Sequence, residues 1–143
     1  MNREQFLEYM DHLNNHRWDK VVSYFRPDVT LEYPDNFAGP KIQARTLHGP
    51  DEFIKNYTAI AENVREILDL GAFMEEGNQF FVEFVTEFHV FRDPPEGSNS
   101  RWKKGDVSVF NQCVLYDVDE EGKFKRIRIF HHRHLDPSEA KHK

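Results

Sequence analysis

The densest local chemistry of the chain lies near its C-terminus, where Phe130-His131-His132-Arg133-His134 sets three imidazoles within four residues. Imidazole titrates near neutrality, so a buried member of such a cluster can take or deliver a proton. In a strand, alternate residues face opposite sides, which pairs His132 with His134 on one face and His131 with Arg133 on the other. Ile127 and Ile129 continue in phase to His131, so an apolar interior points to His131 as the inward residue, unless a bulge near the strand end shifts the phase. His132 and His134 at i, i+2 can also chelate a metal, but a stable site usually has three protein ligands, and no metal is expected.

Further titratable and polar candidates lie elsewhere. His48 precedes a helix opened by Gly49-Pro50-Asp51-Glu52 and is a proton-transfer candidate. Tyr57 falls on the apolar stripe of that helix with Phe53, Ile60 and Val64, where a buried hydroxyl needs a partner such as a substrate carbonyl. Tyr33 ends a short strand and suits a phenolic ligand, whereas Asp35 reads as a turn former. In the run Phe80 to Phe91, Phe80, Val82, Phe84, Thr86 and Phe88 form one face, the core or cavity side. Glu83, Glu87 and His89 fall on the other, a solvated or interface face. Gln112 and Asn111 are both candidates to anchor a substrate carbonyl, and Phe84 and Phe110 to exclude water around it. Cys113 lies among apolar residues, a poor setting for a thiolate. No phosphate-binding glycine loop, nucleotide fingerprint or Ser-His-Asp spacing is present.

The elements that must hold these residues follow from periodicity. Phe6, Met10 and Leu13 make a helical stripe that Asn14 and Asn15 interrupt. A second helix is expected from about Arg17 to Phe25, ended by Pro27. Val29 to Tyr33 reads as a strand and Phe37 to Leu47 as a loop. Proline at the first helical position and carboxylates in the first turn open a third helix at Gly49. Four strands follow: Arg65 to Met74, Phe80 to Phe91, Asp106 to Val118 and Lys123 to Leu135. Helices first and hairpin-connected strands second is an α+β pattern: a cone-shaped, curved mixed or antiparallel sheet covered by three N-terminal helices. One domain over residues 1–137 and a short charged tail at 138–143 account for the chain.

Composition bounds the function. The chain has 143 residues and a formal net charge of -6, an acidic balance that argues against a nucleic-acid partner. No segment reaches the roughly 20 apolar residues of a membrane span. Charged opening residues and a single cysteine give the expectation of a cytoplasmic protein without a secretory signal. Phenylalanine is in surplus, 13 residues, which points to an aromatic-lined cavity for a hydrophobic small molecule.

The order of elements, with Asn15-His16-Arg17-Trp18-Asp19 before Phe25-Arg26-Pro27-Asp28-Val29, then His48-Gly49-Pro50-Asp51-Glu52-Phe53, and Gly122-Lys123-Phe124 before the last strand, resembles the nuclear-transport-factor-2-like superfamily and its SnoaL-like polyketide cyclases. That resemblance implies a cone-shaped fold, a homodimer through the outer sheet face, no cofactor, and acid–base chemistry such as cyclisation, isomerisation or dehydration of a hydrophobic, oxygenated, polyketide-type intermediate. Aligned on Phe124, the acidic catalytic residue of such cyclases falls at His132, which leaves His131 and His132 as rival catalytic candidates. Scytalone dehydratase, a more distant relative, has a Tyr-Asp pair where this chain has Leu13-Asn14, and the epoxide-hydrolase branch needs carboxylates that do not accompany Arg126, Arg128 and Arg133. A non-catalytic ligand-binding or interaction module of the same fold is the competing expectation. Such a module could have a filled cone with all three strand-end histidines outside, whereas turnover calls for imidazoles inside an enclosed, partly polar pocket.

Overall fold

The computed structural model describes residues 1–34, 44–98 and 100–142. Helix α1 (Arg3–Asn14) starts on a capping box, in which the Asn2 side chain accepts from the Gln5 N–H and the Gln5 side chain accepts from the Asn2 N–H, both at 2.9 Å. Helices α2 (Trp18–Val22) and α3 (Gly49–Ala61) complete the helical layer. The strands are β1 (Phe25–Tyr33), β2 (Arg45–His48), β3 (Val64–Glu76), β4 (Gln79–Val90), β5 (Val107–Val118) and β6 (Phe124–Leu135). They form one sheet in the order β2-β1-β6-β5-β4-β3, antiparallel except for the parallel pair β1–β6. This is the expected α+β architecture with a mixed sheet.

Two expectations need correction. The second helix stops at Val22, and Phe25, Arg26 and Pro27 already belong to β1. Pro27 lies where the β1–β6 ladder is broken between Phe25 and Thr30, a place where its missing N–H costs no hydrogen bond. Residues 45–47, read as loop, are most of edge strand β2; four residues are too few for alternation to show, and pairing with β1 supplies the order. Residues 37–43 of that expected loop, and Asp35, lie outside the described residues.

The sheet curls around α1. Phe6 is fully buried and its ring meets those of Phe80, Phe84 and Tyr116 at 5.5–5.8 Å, while Tyr9 meets Phe124 at 5.1 Å. Aromatic burial of this kind fills the narrow end of the cone completely. Much of the phenylalanine surplus is therefore core: Phe6, Phe80 and Phe124 seal the closed end, and only the rings further along reach open space. Ladder irregularities on β3 between Leu70 and Phe73, and on β6 opposite the Asn111–Gln112 step, bend the sheet at its free end.

The outer sheet face is divided. Near β3 and β4 it is covered by the chain's own end: after a turn at Pro137–Glu139, the backbone N–H groups of Lys141 and His142 donate to the Glu87 carboxylate at 2.7 and 3.2 Å. His89 Nε2 lies 2.8 Å from the same carboxylate, and His142 Nε2 lies 2.8 Å from Asp69 Oδ2. Glu87, expected on a solvated or interface face, is fully buried under this tail. Across the remainder, Met74, Phe81 and Leu115 pair in one row and Cys113 with Phe130 in the next, leaving Met74 58% and Phe130 42% exposed. Among the described residues no helix is long and apolar enough to cross a membrane.

Candidate functional site

Between α1, α3 and the inner face of the sheet, the wide end of the cone holds a cavity of about 140 Å³. Strand pairing sets its wall in rows. Leu70, Phe84, Gln112 and His131 stand in one row across β3, β4, β5 and β6; Leu68, Thr86, Phe110 and His134 in the next; Glu66, Phe88 and Ser108 in the one beyond. Phe84, Phe110 and Gln112 line the cavity, as the alternation of β4 and β5 requires.

The histidine cluster is sorted by a bulge. Gln112 pairs with His131 while its neighbour Asn111 pairs with Arg133, so His132 is an extra residue without a place in the ladder. His131 lines the cavity; His132 is exposed and outside its lining. Beyond the bulge the phase resumes one residue late, and His134 comes opposite Phe110, its ring 4.1 Å away. The sharing of a face by His132 with His134, and by His131 with Arg133, is thus corrected: His131 and His134 are in phase, and the i, i+2 chelate is broken by the inserted residue.

His131 is oriented through two other side chains. The Thr86 hydroxyl donates to Gln112 Oε1 at 2.8 Å, which turns the Gln112 amide nitrogen toward His131 Nε2 at 3.1 Å. An amide N–H donates, so Nε2 accepts, and the hydrogen of the neutral ring resides on Nδ1.

Tyr57 and Tyr33 both line the cavity and their hydroxyls hydrogen-bond each other. Burial pushes both phenols up; the charge of Glu66 adds to this at each, while Tyr57 and Arg45 pull Tyr33 the other way. Both remain protonated donors at neutral pH. His48 is exposed and does not line the cavity; on β2 its neighbour of the inward phase is the buried Leu47, and its own N–H donates to Glu52 Oε1 at 3.0 Å.

Two charged residues that sequence reading missed complete the site. Glu66 is in phase with Val64 and Leu68, all three on the cavity wall, and burial pushes its carboxyl up to about 7. An acid in the apolar phase of a strand was the available signal. Arg45, two residues before Leu47 and opposite Tyr33, reaches the cavity mouth and donates to Asn56 Oδ1 of α3. Elsewhere, oxygen and nitrogen atoms of Asp69, Glu87 and His142 lie within 4.8 Å of one another on the outer face, a set of metal-ligand type already knit together by the tail's hydrogen bonds.

A curled mixed sheet, closed at one end by aromatic rings and holding a carboxyl, an imidazole and two phenols at the other, defines a cone-shaped α+β protein with a partly polar cavity. The SnoaL-like domain model matches residues 6–127, and the chain belongs to that family. Among solved structures, a candidate polyketide cyclase from Xanthomonas campestris pv. campestris shares 18% identity, covering 87% of this chain and 84% of its own at a TM-score of 0.68. A nuclear-transport-factor-2-like protein of unknown function from Burkholderia pseudomallei shares 18% identity over 95% and 91% of the two chains, TM-score 0.68. The epoxide hydrolase/cyclase-like enzyme SalBIII, of pyran ring formation in the polyether salinomycin, shares 16% over 92% and 95%, TM-score 0.66. No curated protein sequence gives a significant match. At these identities the structures establish the nuclear-transport-factor-2-like cone, and the chemistry is argued from this chain's own residues.

Proposed function

We propose that this protein is a small-molecule enzyme that catalyses a proton-transfer rearrangement, a cyclisation, isomerisation or dehydration, on a hydrophobic, oxygenated, polyketide-type intermediate. The observation that carries the reading is Glu66: a carboxyl poised at about 7 by burial, inside a cavity that also holds His131 and the Tyr33–Tyr57 pair. A base poised near the working pH is the arrangement general base catalysis favours. Glu66 removes a proton next to a substrate carbonyl. The tyrosine hydroxyls donate to the developing enolate, and His131, its Nε2 held by Gln112, forms part of the same cavity wall. Phe84 and Phe110 keep water from the intermediate. An open cavity with His131 on its wall suits a bound ligand as well as catalysis; the poised Glu66 carboxyl inside it favours catalysis.

The test is deuterium exchange at the acidic C2 position of benzoylacetone in heavy water, followed by NMR. Exchange accelerated by the protein, and reduced on the order of a hundredfold or more in Glu66→Gln, supports the reading. Exchange equally fast in the variant sinks it.

We also propose that two copies associate through the outer face, where Met74, Phe81, Leu115 and Phe130 form the apolar rows. Light scattering on Phe130→Asp, which should be monomeric if the wild type is a dimer, checks this.

A further inference from the structure

The cavity is apolar through most of its wall, yet Arg45 stands at its mouth as the sole lysine or arginine lining it among the described residues. Its position is fixed by the backbone: β2 pairs Arg45 with Tyr33 and Leu47 with Leu31, so Arg45 shares the inward phase of a buried leucine. It is also held by a neutral group. The guanidinium donates to the Asn56 carboxamide oxygen, and among the described residues no carboxylate forms an ion pair with it. By contrast Arg26, Arg126 and Arg128 are each neutralised by an aspartate or glutamate. A guanidinium has five donors in a rigid fork, and an amide oxygen occupies one edge without cancelling the charge. The exposed cation, on the strand that pairs with Tyr33, is thus oriented by Asn56, and among the described residues no other hydrogen bond or ion pair occupies its remaining donors.

We infer that the ligand is an acid, an aromatic or otherwise hydrophobic carboxylate whose carboxylate group lies against Arg45 while its apolar body enters the cavity. The inference rests on the cavity being the substrate site and names the substrate class. It also fits the opposite wall: Glu66, held largely protonated below neutrality by burial, does not repel an anion there.

Calorimetric titration with trans-cinnamic acid and with cinnamamide, isosteric and neutral, tests the assignment. Wild-type protein at pH 6.5 should bind the acid about tenfold tighter than the amide, the scale of one charge-assisted contact. In Arg45→Gln that preference should fall to about one, with amide affinity unchanged, and Arg45→Lys should keep part of it. Equal affinity in the wild type, failure of the acid to bind, or a preference that survives Arg45→Gln overturns the inference. Because Glu66→Gln should slow the protein-accelerated deuterium exchange without abolishing the acid preference, loss of the catalytic reading and loss of the anion site are separable outcomes.

Discussion

His131 and His134 are three residues apart on β6, yet they occupy consecutive rows of one sheet face, opposite Gln112 and Phe110. The residue between the two phases is His132. Deleting one residue inside a strand ordinarily inverts every side chain beyond it. Deleting His132 should do the reverse and leave Arg133 opposite Asn111 and His134 opposite Phe110. The deletion variant is expected to remain folded, within about 1 kcal/mol of wild type in denaturant titration. Deletion of Ile129, which has no bulge to absorb it, should unfold the strand end.

The Thr86–Gln112–His131 chain predicts a protonation pattern that is directly visible. Nitrogen-15 NMR of wild-type protein should show the Nδ1–H tautomer of His131. Gln112→Glu places an acceptor opposite Nε2, moves the proton to that nitrogen, and should raise the pH at which the ring titrates. A spectrum unchanged by this substitution would show that Gln112 does not govern the ring.

Glu66 has a folded-state value of about 7 against an ordinary 4.5, so the fold favours its protonated form. The stability this group confers is fully present below its unfolded value and is lost as pH rises through about 7. Glu66→Gln should therefore be more stable than wild type at pH 8 by up to on the order of 3 kcal/mol, at about 1.4 kcal/mol per tenfold change in ionisation. The difference should vanish below about pH 4, under the unfolded value of the carboxyl. Denaturant titrations at the two pH values decide it.

Glu87 carries the opposite sign. Burial raises its carboxyl, but the His89 contact and the N–H groups of Lys141 and His142 together outweigh burial and hold it below the usual carboxylate range. Its contribution is present above the unfolded value and is lost as pH falls through the depressed one. Removing residues 141–143 deletes two of these donors from a buried carboxylate and should cost about 1–3 kcal/mol at neutral pH. The truncated chain should also acid-denature at a higher pH than wild type. Equal acid midpoints would count against the tail's role.

Much of the architecture was legible because the long elements are strongly periodic: α1, α3 and the four long strands each repeat their apolar residues at the spacing of their type. The short elements were not. β2 has four residues and owes its form to β1, and Pro27 mimics a helix stop while sitting at a break in the ladder. At the site, Tyr57 and Phe84 lie on the cavity wall as the stripe of α3 and the phase of β4 indicate, whereas alternation along β5 left Gln112 and Asn111 as alternatives that pairing with β4 separates. His131 was indicated by its phase with Ile127 and Ile129; the rival count from Phe124 to His132 missed the irregularity opposite the Asp117–Val118 step. The bulge that brings His134 into the inward phase depends on the register of a partner strand. Glu66 was hidden by convention rather than by physics: a carboxylate in a strand is read as solvent-facing, whereas its phase with Val64 and Leu68 placed it inside.

The parallel pair β1–β6 has a consequence for how the molecule comes into being. β1 and β2, which carry Tyr33 and Arg45, join the sheet only through β6, the last of the six strands in chain order. Phe6 likewise waits for Phe80, Phe84 and Tyr116 before it has a core to enter. Such long-range closures slow folding, and they leave the N-terminal third of a growing chain without a docking partner. On the ribosome, the wall that bears Arg45 is the last part of the cone to be set, after β6 has cleared the exit.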